Sequence, residues 1–199
     1  YIEPDSPRVQ GDWSNAAFFL CAGALGGETE ITGLSLDSRQ SDRALTDILK
    51  AFGADIKYGS SVSVCKSELF GITVDISQCP DLFPTLAVTA CAAHGDTVFT
   101  NAARLRIKES DRIEAVEKMI TSLGGFAEST PDSLTVHGTG TLAGGEVNSF
   151  NDHRIVMAAA VAACICESPV IIRDAQAVNK SYPDFFEDYK KLGGKADVI

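Results

Sequence analysis

The segment Arg106-Ile107-Lys108-Glu109-Ser110-Asp111-Arg112 gathers both signs of charge where a helix should begin. Asp111 followed by Glu114 reads as an N-cap with an acidic partner three residues on. That spacing predicts Arg112 in the first turn and Lys108 just outside it. A helix N-terminus is already partly positive, so a mismatched cation there costs about 0.3–1 kcal/mol. A sequence that accepts this cost is suited to an anion site, where backbone N–H groups and basic side chains converge on a phosphate or carboxylate. A solvated basic turn is the plainer alternative for a single motif. It weakens if the pattern recurs.

The pattern recurs. Asp12-Trp13-Ser14-Asn15-Ala16-Ala17, Asp81-Leu82-Phe83-Pro84-Thr85-Leu86 and Asp152-His153-Arg154-Ile155-Val156-Met157 lie 69 and 71 residues apart. Each Asp opens an apolar, Ala-rich helix. A β-rich run follows each helix, at Thr29–Thr32, Thr97–Thr100 and Val170–Ile172. A second, amphipathic helix starts at Ser41-Asp42-Arg43, Ser110-Asp111-Arg112 and Ser181-Tyr182-Pro183-Asp184, and ends at Gly53, Gly124 and Gly193. Hairpins are predicted at 54–58 with 61–64 and at 125–128 with 133–136, while the third copy stops after Ala196-Asp197-Val198-Ile199. Further strands, at 72–76 and 146–148, precede the first helices of the second and third copies.

The unit is therefore strand–helix–strand–helix–strand–strand, with a final strand missing from the last copy. The expected fold is an α/β domain of pseudo-threefold βαβαββ units, approximately 1–68, 69–140 and 141–199. Helices apolar nearly all round belong in the middle, and amphipathic ones outside. Units related by rotation would bring their helix N-termini to one face. Arg43, Lys108 with Arg112, His153 with Arg154, and Lys180 would then share it. Packing alone predicts no such clustering.

Bulk properties bound the partners. The 199 residues are 45% hydrophobic and 22% charged, ordinary for a globular domain. A formal net charge of −10 argues against nonspecific nucleic-acid binding and against an anionic membrane surface. No apolar run is long enough to span a bilayer. The chain opens Tyr1-Ile2-Glu3-Pro4, without an initiating Met or a signal-peptide pattern, as an internal point of a longer polypeptide would. Cys21, Cys65, Cys79, Cys91, Cys164 and Cys166 form no CxxC pair. Cys21, Cys91 and Cys164 fall in the Ala-rich helices and are expected to be buried, reduced thiols of a cytoplasmic protein. His94, His137 and His153 show no metal-ligand spacing, and neither metal nor cofactor is expected.

The Arg106–Arg112 segment, together with Asn151-Asp152-His153-Arg154, resembles the signature of the 5-enolpyruvylshikimate-3-phosphate synthase family. Gly11-Asp12-Trp13-Ser14, Pro80-Asp81 and Lys180-Ser181-Tyr182-Pro183-Asp184-Phe185-Phe186 fit the same family in the same order, so the resemblance spans essentially the whole chain. It implies the enolpyruvyl transferase fold, an inside-out α/β barrel of which residues 1–199 are one domain, the C-terminal half of a two-domain enzyme. The missing N-terminal domain would be its partner across a cleft. The family's extreme N-terminal segment folds back into this half, which would account for the incomplete last unit. The implied reaction moves the enolpyruvyl group of phosphoenolpyruvate to the 5-hydroxyl of shikimate 3-phosphate and releases phosphate. The implied location is the cytoplasm, or the plastid in a plant.

Carried over by position, the resemblance implies that Asp81 accepts a hydrogen bond from the 5-hydroxyl and helps deprotonate it, since an alcohol is a poor nucleophile until its proton is taken. The bland alternative for Asp81 is an N-cap worth about 1 kcal/mol. Glu109 would relay a proton to and from the methylene carbon, against the alternative of an ion pair with Arg112 or Lys108. Lys108 would contact shikimate 3-phosphate. Arg112 and Arg154 would clamp the phosphoenolpyruvate carboxylate, because guanidinium groups grip planar anions in bidentate fashion. Lys180 would serve the same ligand and, as a third catalytic residue, exchange protons near it. His153 would orient neighbouring acids or sit as a satisfied core histidine, Arg104 has a possible substrate role, and Asp12 and Trp13 are structural. Two alternatives stand beside this reading. One is the related transferase acting on UDP-N-acetylglucosamine, whose equivalent stretch lacks the Lys-Glu-Ser-Asp-Arg run. The other is a non-catalytic binding domain of the same fold. The isolated half is expected to lack turnover, and the open edge of its incomplete sheet to favour self-association.

Overall fold

The computed structural model describes residues 9–199, so the N-terminal part of the first repeat, through Arg8, lies outside the described residues. Three helices form the centre: α1 (Trp13–Gly26), α3 (Phe83–Cys91) and α5 (His153–Ala162). They pack against one another, and every residue of α3 and of α5 is buried. Helices enclosed on all sides need apolar residues all round, which the Ala-rich sequences supply. The outer helices are α2 (Leu45–Phe52), α4 (Arg112–Ser122) and α6 (Phe185–Lys191). Leu45, Leu49 and Phe52 face inward from α2 while Asp47 and Lys50 face water. Ile113, Val116 and Ile120 do the same from α4, with Glu114 and Lys118 outside.

Among the described residues, only the second unit shows the whole pattern. There β4 (Thr73–Asp75) runs parallel to β5 (Gly95–Thr100), which pairs antiparallel with β7 (Ser133–Gly138), itself hairpinned to β6 (Phe126–Thr130). The first unit has β1 (Glu28–Thr32) and the hairpin β2 (Asp55–Tyr58) and β3 (Ser61–Cys65) in the order β1-β3-β2. The third has β8 (Gly145–Asn148) parallel to β9 (Val170–Arg173) and nothing further among the described residues. Ala196–Ile199, expected as a strand, forms none, so among the described residues the third sheet lacks both hairpin strands rather than one. A lone segment with no second strand to accept its N–H groups gains nothing by extending along the sheet.

Equivalent corners recur where each strand leaves the sheet. Gly33, Asn101 and Asp174 all have left-handed backbone, with φ of 81, 56 and 55°. Asn and Asp tolerate that region better than other residues with a side chain. Gly53, Gly124 and Gly193 end α2, α4 and α6 with φ of 100, 83 and 97°, as the sequence predicts. α6 starts where the sequence predicts, at Phe185 directly after Ser181-Tyr182-Pro183-Asp184, and a 3-10 segment, Ala175–Lys180, precedes it.

The six cysteines are free thiols. Burial pushes the Cys21 thiol up to about 11 and the Cys91 thiol up to about 12. Cys164 departs from expectation. It lies in the 3-10 turn Ala163–Ile165 after α5 has ended, and it is exposed. No helix among the described residues is long and apolar enough to cross a membrane.

One close approach joins a sheet to the central helices. A Cβ added at Gly138 would lie 2.0 Å from the Ala93 carbonyl oxygen and 2.8 Å from that of Ala90. Both obstacles are backbone at the end of α3, and neither can yield. Gly138→Ala is therefore expected to lower the unfolding free energy by about 2–3 kcal/mol. Gly59→Ala, with open space around its Cβ, should stay within about 0.5 kcal/mol. Urea unfolding of the two variants checks the contrast.

Candidate active site

Three helix starts converge on Asp81. Asp81 sits in a 3-10 turn, Pro80–Leu82, in front of α3. Its carboxylate caps no N–H, so the N-cap reading is overturned; Asp12, Asp111 and Asp152 do cap α1, α4 and α5. The Asp81 side chain turns instead toward α4 and α5. Arg112 Nη1 donates to Oδ1 at 2.7 Å, and Arg154 Nη2 donates to Oδ2 at 3.0 Å. Lys108 Nζ stands 3.6 Å from Oδ1. Partial burial works to raise the Asp81 pKa, but Arg154, Arg112 and Lys108 together hold it below the ordinary carboxylate value.

Arg112 is the hub. It is wholly buried, and each guanidinium nitrogen is committed to a carboxylate. Besides Nη1 to Asp81, Nε donates to Asp152 Oδ2 at 2.8 Å and Nη2 donates to Glu109 Oε2. Burial alone would depress its pKa, yet Asp152, Asp81 and Glu109 raise it above the usual arginine value. Each nitrogen thus donates to a carboxylate of the protein, and one further N–H on each of Nη1 and Nη2 is left without one. The cost of a cation at a helix start is offset by three anions brought to it from three segments.

Asp152 is also fully enclosed. Burial opposes its ionisation, but the Arg112 ion pair, the Arg154 backbone N–H and the Ser110 hydroxyl hold its pKa below normal. His153 does not orient it. The ring Nδ1 is 3.9 Å from Asp152 Oδ1, too far for a hydrogen bond, and has no other partner among the described residues. Burial and the adjacent Arg154 lower the His153 pKa and favour the neutral ring.

The remaining expected residues lie around this core. Glu109 is half exposed and carries its predicted ion pair to Arg112. Lys180 Nζ donates to the Asn151 carbonyl at 2.6 Å, beside the turn where Phe150 and Asn151 have left-handed backbone, with φ of 51 and 55°. Such residues persist where the surroundings over-determine them. Here the Asn148 side chain accepts from Phe150 N–H, and the Ser149 hydroxyl from Asn151 N–H. Arg106 is structural: it donates to Asp111 and to the carbonyls of Thr130 and Pro131, tying the motif to the β6–β7 turn. Arg43 makes no ion pair among the described residues, and Trp13 is buried packing.

An open depression of about 470 Å³ runs from Asp81 toward the first unit and is lined by Asp12, Ser14, Asp42 and the exposed Arg104, among others. Asp42, read in sequence only as part of a helix start, is a buried carboxylate whose Oδ2 accepts from Ser14 Oγ; burial raises its pKa. Asp152 was legible only as a helix start. The signal for its second role lay in the repeat itself, which puts the cap of one unit against the basic helix start of another. Among the described residues no group of three or more His, Cys, Asp or Glu is arranged to hold a metal ion.

The arrangement offers an ionised carboxylate with a fixed direction, flanked by Lys108 and Arg154 and joined through Arg112 to a second carboxylate, Glu109. That set can orient a hydroxyl beside an anionic ligand.

A profile of EPSP synthase (3-phosphoshikimate 1-carboxyvinyltransferase) matches residues 3–189. The 3-phosphoshikimate 1-carboxyvinyltransferase of Clostridium novyi is 49% identical over 191 residues, covering 96% of this chain and 44% of the relative. That of Clostridium kluyveri is 45% identical over 198 residues, covering 99% and 46%. The EPSP synthase of Acinetobacter baumannii superimposes with a TM-score of 0.84 at 30% identity, over 94% of this chain and 47% of the other. The chain thus spans about half the length of the curated relatives it matches.

Proposed function

Because this chain belongs to the EPSP synthase (3-phosphoshikimate 1-carboxyvinyltransferase) family, we propose that it supplies one wall of an active site that moves the enolpyruvyl group of phosphoenolpyruvate onto the 5-hydroxyl of shikimate 3-phosphate. The second wall comes from the half of the relatives' length that this chain does not cover. Residues 1–199 act as a single domain of three repeated units. The observation that carries this reading is the carboxylate of Asp81, held by Arg112 and Arg154 with Lys108 beside it.

In this reading Asp81 receives the hydrogen bond of the attacking hydroxyl. Its depressed pKa makes it a weak base, so its larger contribution is direction: an ionised acceptor that aims the oxygen lone pair at the enol carbon. Carbon–oxygen bond formation needs a proton delivered to the methylene carbon, and elimination of phosphate needs one removed from it. Glu109, with one oxygen on Arg112 and a half-exposed side chain, suits that relay. Arg154 and Lys180 bind the anionic donor, and Lys108 bridges to the acceptor. Arg112 orders the carboxylates around them and keeps one N–H on each of Nη1 and Nη2 for the donor's carboxylate.

Phosphoenolpyruvate titration of the 199-residue chain, followed by NMR, tests this. The chain should bind weakly, with responses at Arg154 and Lys108. Arg154→Ala and Lys180→Ala should each weaken binding about tenfold, the loss of one charge-assisted hydrogen bond. No response at either residue up to about 10 mM, or binding by both variants as tight as the parent's, would contradict it.

A further inference from the structure

We propose that Asp152 is a positioning residue: its buried carboxylate sets the guanidinium groups of Arg112 and Arg154 on the two oxygens of Asp81. The functional weight of this rests on Asp81 being the group that receives the substrate hydroxyl. The geometry stands without that reading.

Four groups close a ring. Asp152 Oδ1 accepts the backbone N–H of Arg154 at 2.9 Å, which caps α5 and fixes the turn from which the Arg154 side chain extends. Asp152 Oδ2 accepts from Arg112 Nε at 2.8 Å and from Ser110 Oγ at 3.1 Å. Anchoring Nε fixes the guanidinium plane, and Nη1 then meets Asp81 Oδ1 at 2.7 Å. Arg154 Nη2 closes the ring on Asp81 Oδ2 at 3.0 Å. Asp152 and Arg112 are both fully enclosed, so no bulk water competes for these bonds. A buried, charge-assisted pair of this kind holds direction more firmly than one at the surface.

The repeat supplies the control. Asp12 occupies the equivalent place in the first unit, caps α1 through Asn15 N–H at 3.0 Å, and is exposed. Capping needs one oxygen. The second oxygen of Asp152 is spent on two donors from the neighbouring unit, which capping does not require. Ser110 lies next to Glu109, so the same oxygen also pins the loop carrying Lys108 and Glu109.

Asp152→Ser separates the two roles, because a serine oxygen still caps a helix but offers Arg112 no charge. The readout is the side-chain carboxyl titration of Asp81 in the 199-residue chain, followed by carbon-13 NMR. Asp81 is faced by Arg112 from α4, Arg154 from α5 and Lys108 from the preceding loop; Asp12, Asp42 and Arg104 line the same depression. Asp152 itself does not touch Asp81, so loosening Arg112 outweighs removing the more distant charge. The Asp81 midpoint should rise by about one pH unit, and the Arg112 Nε–H signal should lose its protection from exchange. Asp152→Asn, closer in shape, should shift the midpoint in the same direction. An unchanged or lower midpoint in either folded variant overturns the proposal. Failure of both variants to fold also overturns it, in favour of a purely structural role.

Discussion

Replacing Arg112 with methionine is expected to remove about 3–5 kcal/mol of unfolding free energy, the range for breaking a buried ion pair by deleting one partner. The side chain is wholly buried and neutralises Asp81, Asp152 and Glu109. Methionine fills much of the same space, so the loss is electrostatic rather than a cavity. Asp152 suffers most, being fully enclosed, with the His153 ring, whose pKa is lowered, as its only other basic side chain among the described residues. The effect has a pH signature. In the parent chain the folded-state pKa values of Asp81 and Asp152 are depressed. Their contribution to stability is present above the unfolded carboxylate value, about 3.9, and is lost as pH falls through the folded values. In Arg112→Met the pKa of Asp152 rises instead, so it destabilises near neutrality and is relieved on protonation. Urea midpoints of the two proteins should differ most near pH 7 and converge below about pH 4. A gap that stays constant across that range would assign the loss to packing.

Much of the scaffold was legible because it is local. Asp12, Asp111 and Asp152 cap helices at the predicted places, and Gly53, Gly124 and Gly193 end them. These outcomes depend on a few neighbouring residues and on hydrophobic period, both written directly in the chain. Errors arose where distant segments decide. Asp81 looks like its two equivalents in sequence, yet it leaves its own helix uncapped because Arg112 and Arg154 lie within reach. Arg112 reads as an anion clamp in sequence, and the motif does not show the carboxylates of Asp81 and Asp152 that pair with it from other segments. Which side chains meet across units depends on how the units rotate against each other, and the repeat length does not encode that. The third unit was misjudged for a related reason: Ala196–Ile199 has a plausible composition for a strand but no partner to pair with among the described residues.

The second large effect concerns catalysis. Lys108 and Glu109 are only partly buried, and Lys180 is exposed, so the charged cluster faces solvent on one side. Stabilising charge in a transition state requires that water be excluded and that donors be fixed in place. A single wall does neither. Under the proposed reaction the 199-residue chain, prepared by itself, should release no phosphate from phosphoenolpyruvate in the presence of shikimate 3-phosphate. Adding the separately produced complementary half of a full-length relative should restore release. Asp81→Asn should then lower the restored rate by a factor of about 10²–10⁴, because an amide cannot serve as an ionised acceptor between two guanidinium groups.

That reconstitution assay, with phosphate release as its readout, bears most directly on the central claim that this chain contributes one wall of a shared site organised around Asp81. The account predicts no turnover from the chain alone, turnover from the two halves together, and loss of that turnover in Asp81→Asn. Sustained turnover by the chain alone, or an undiminished rate when Asp81→Asn is combined with the other half, would contradict it.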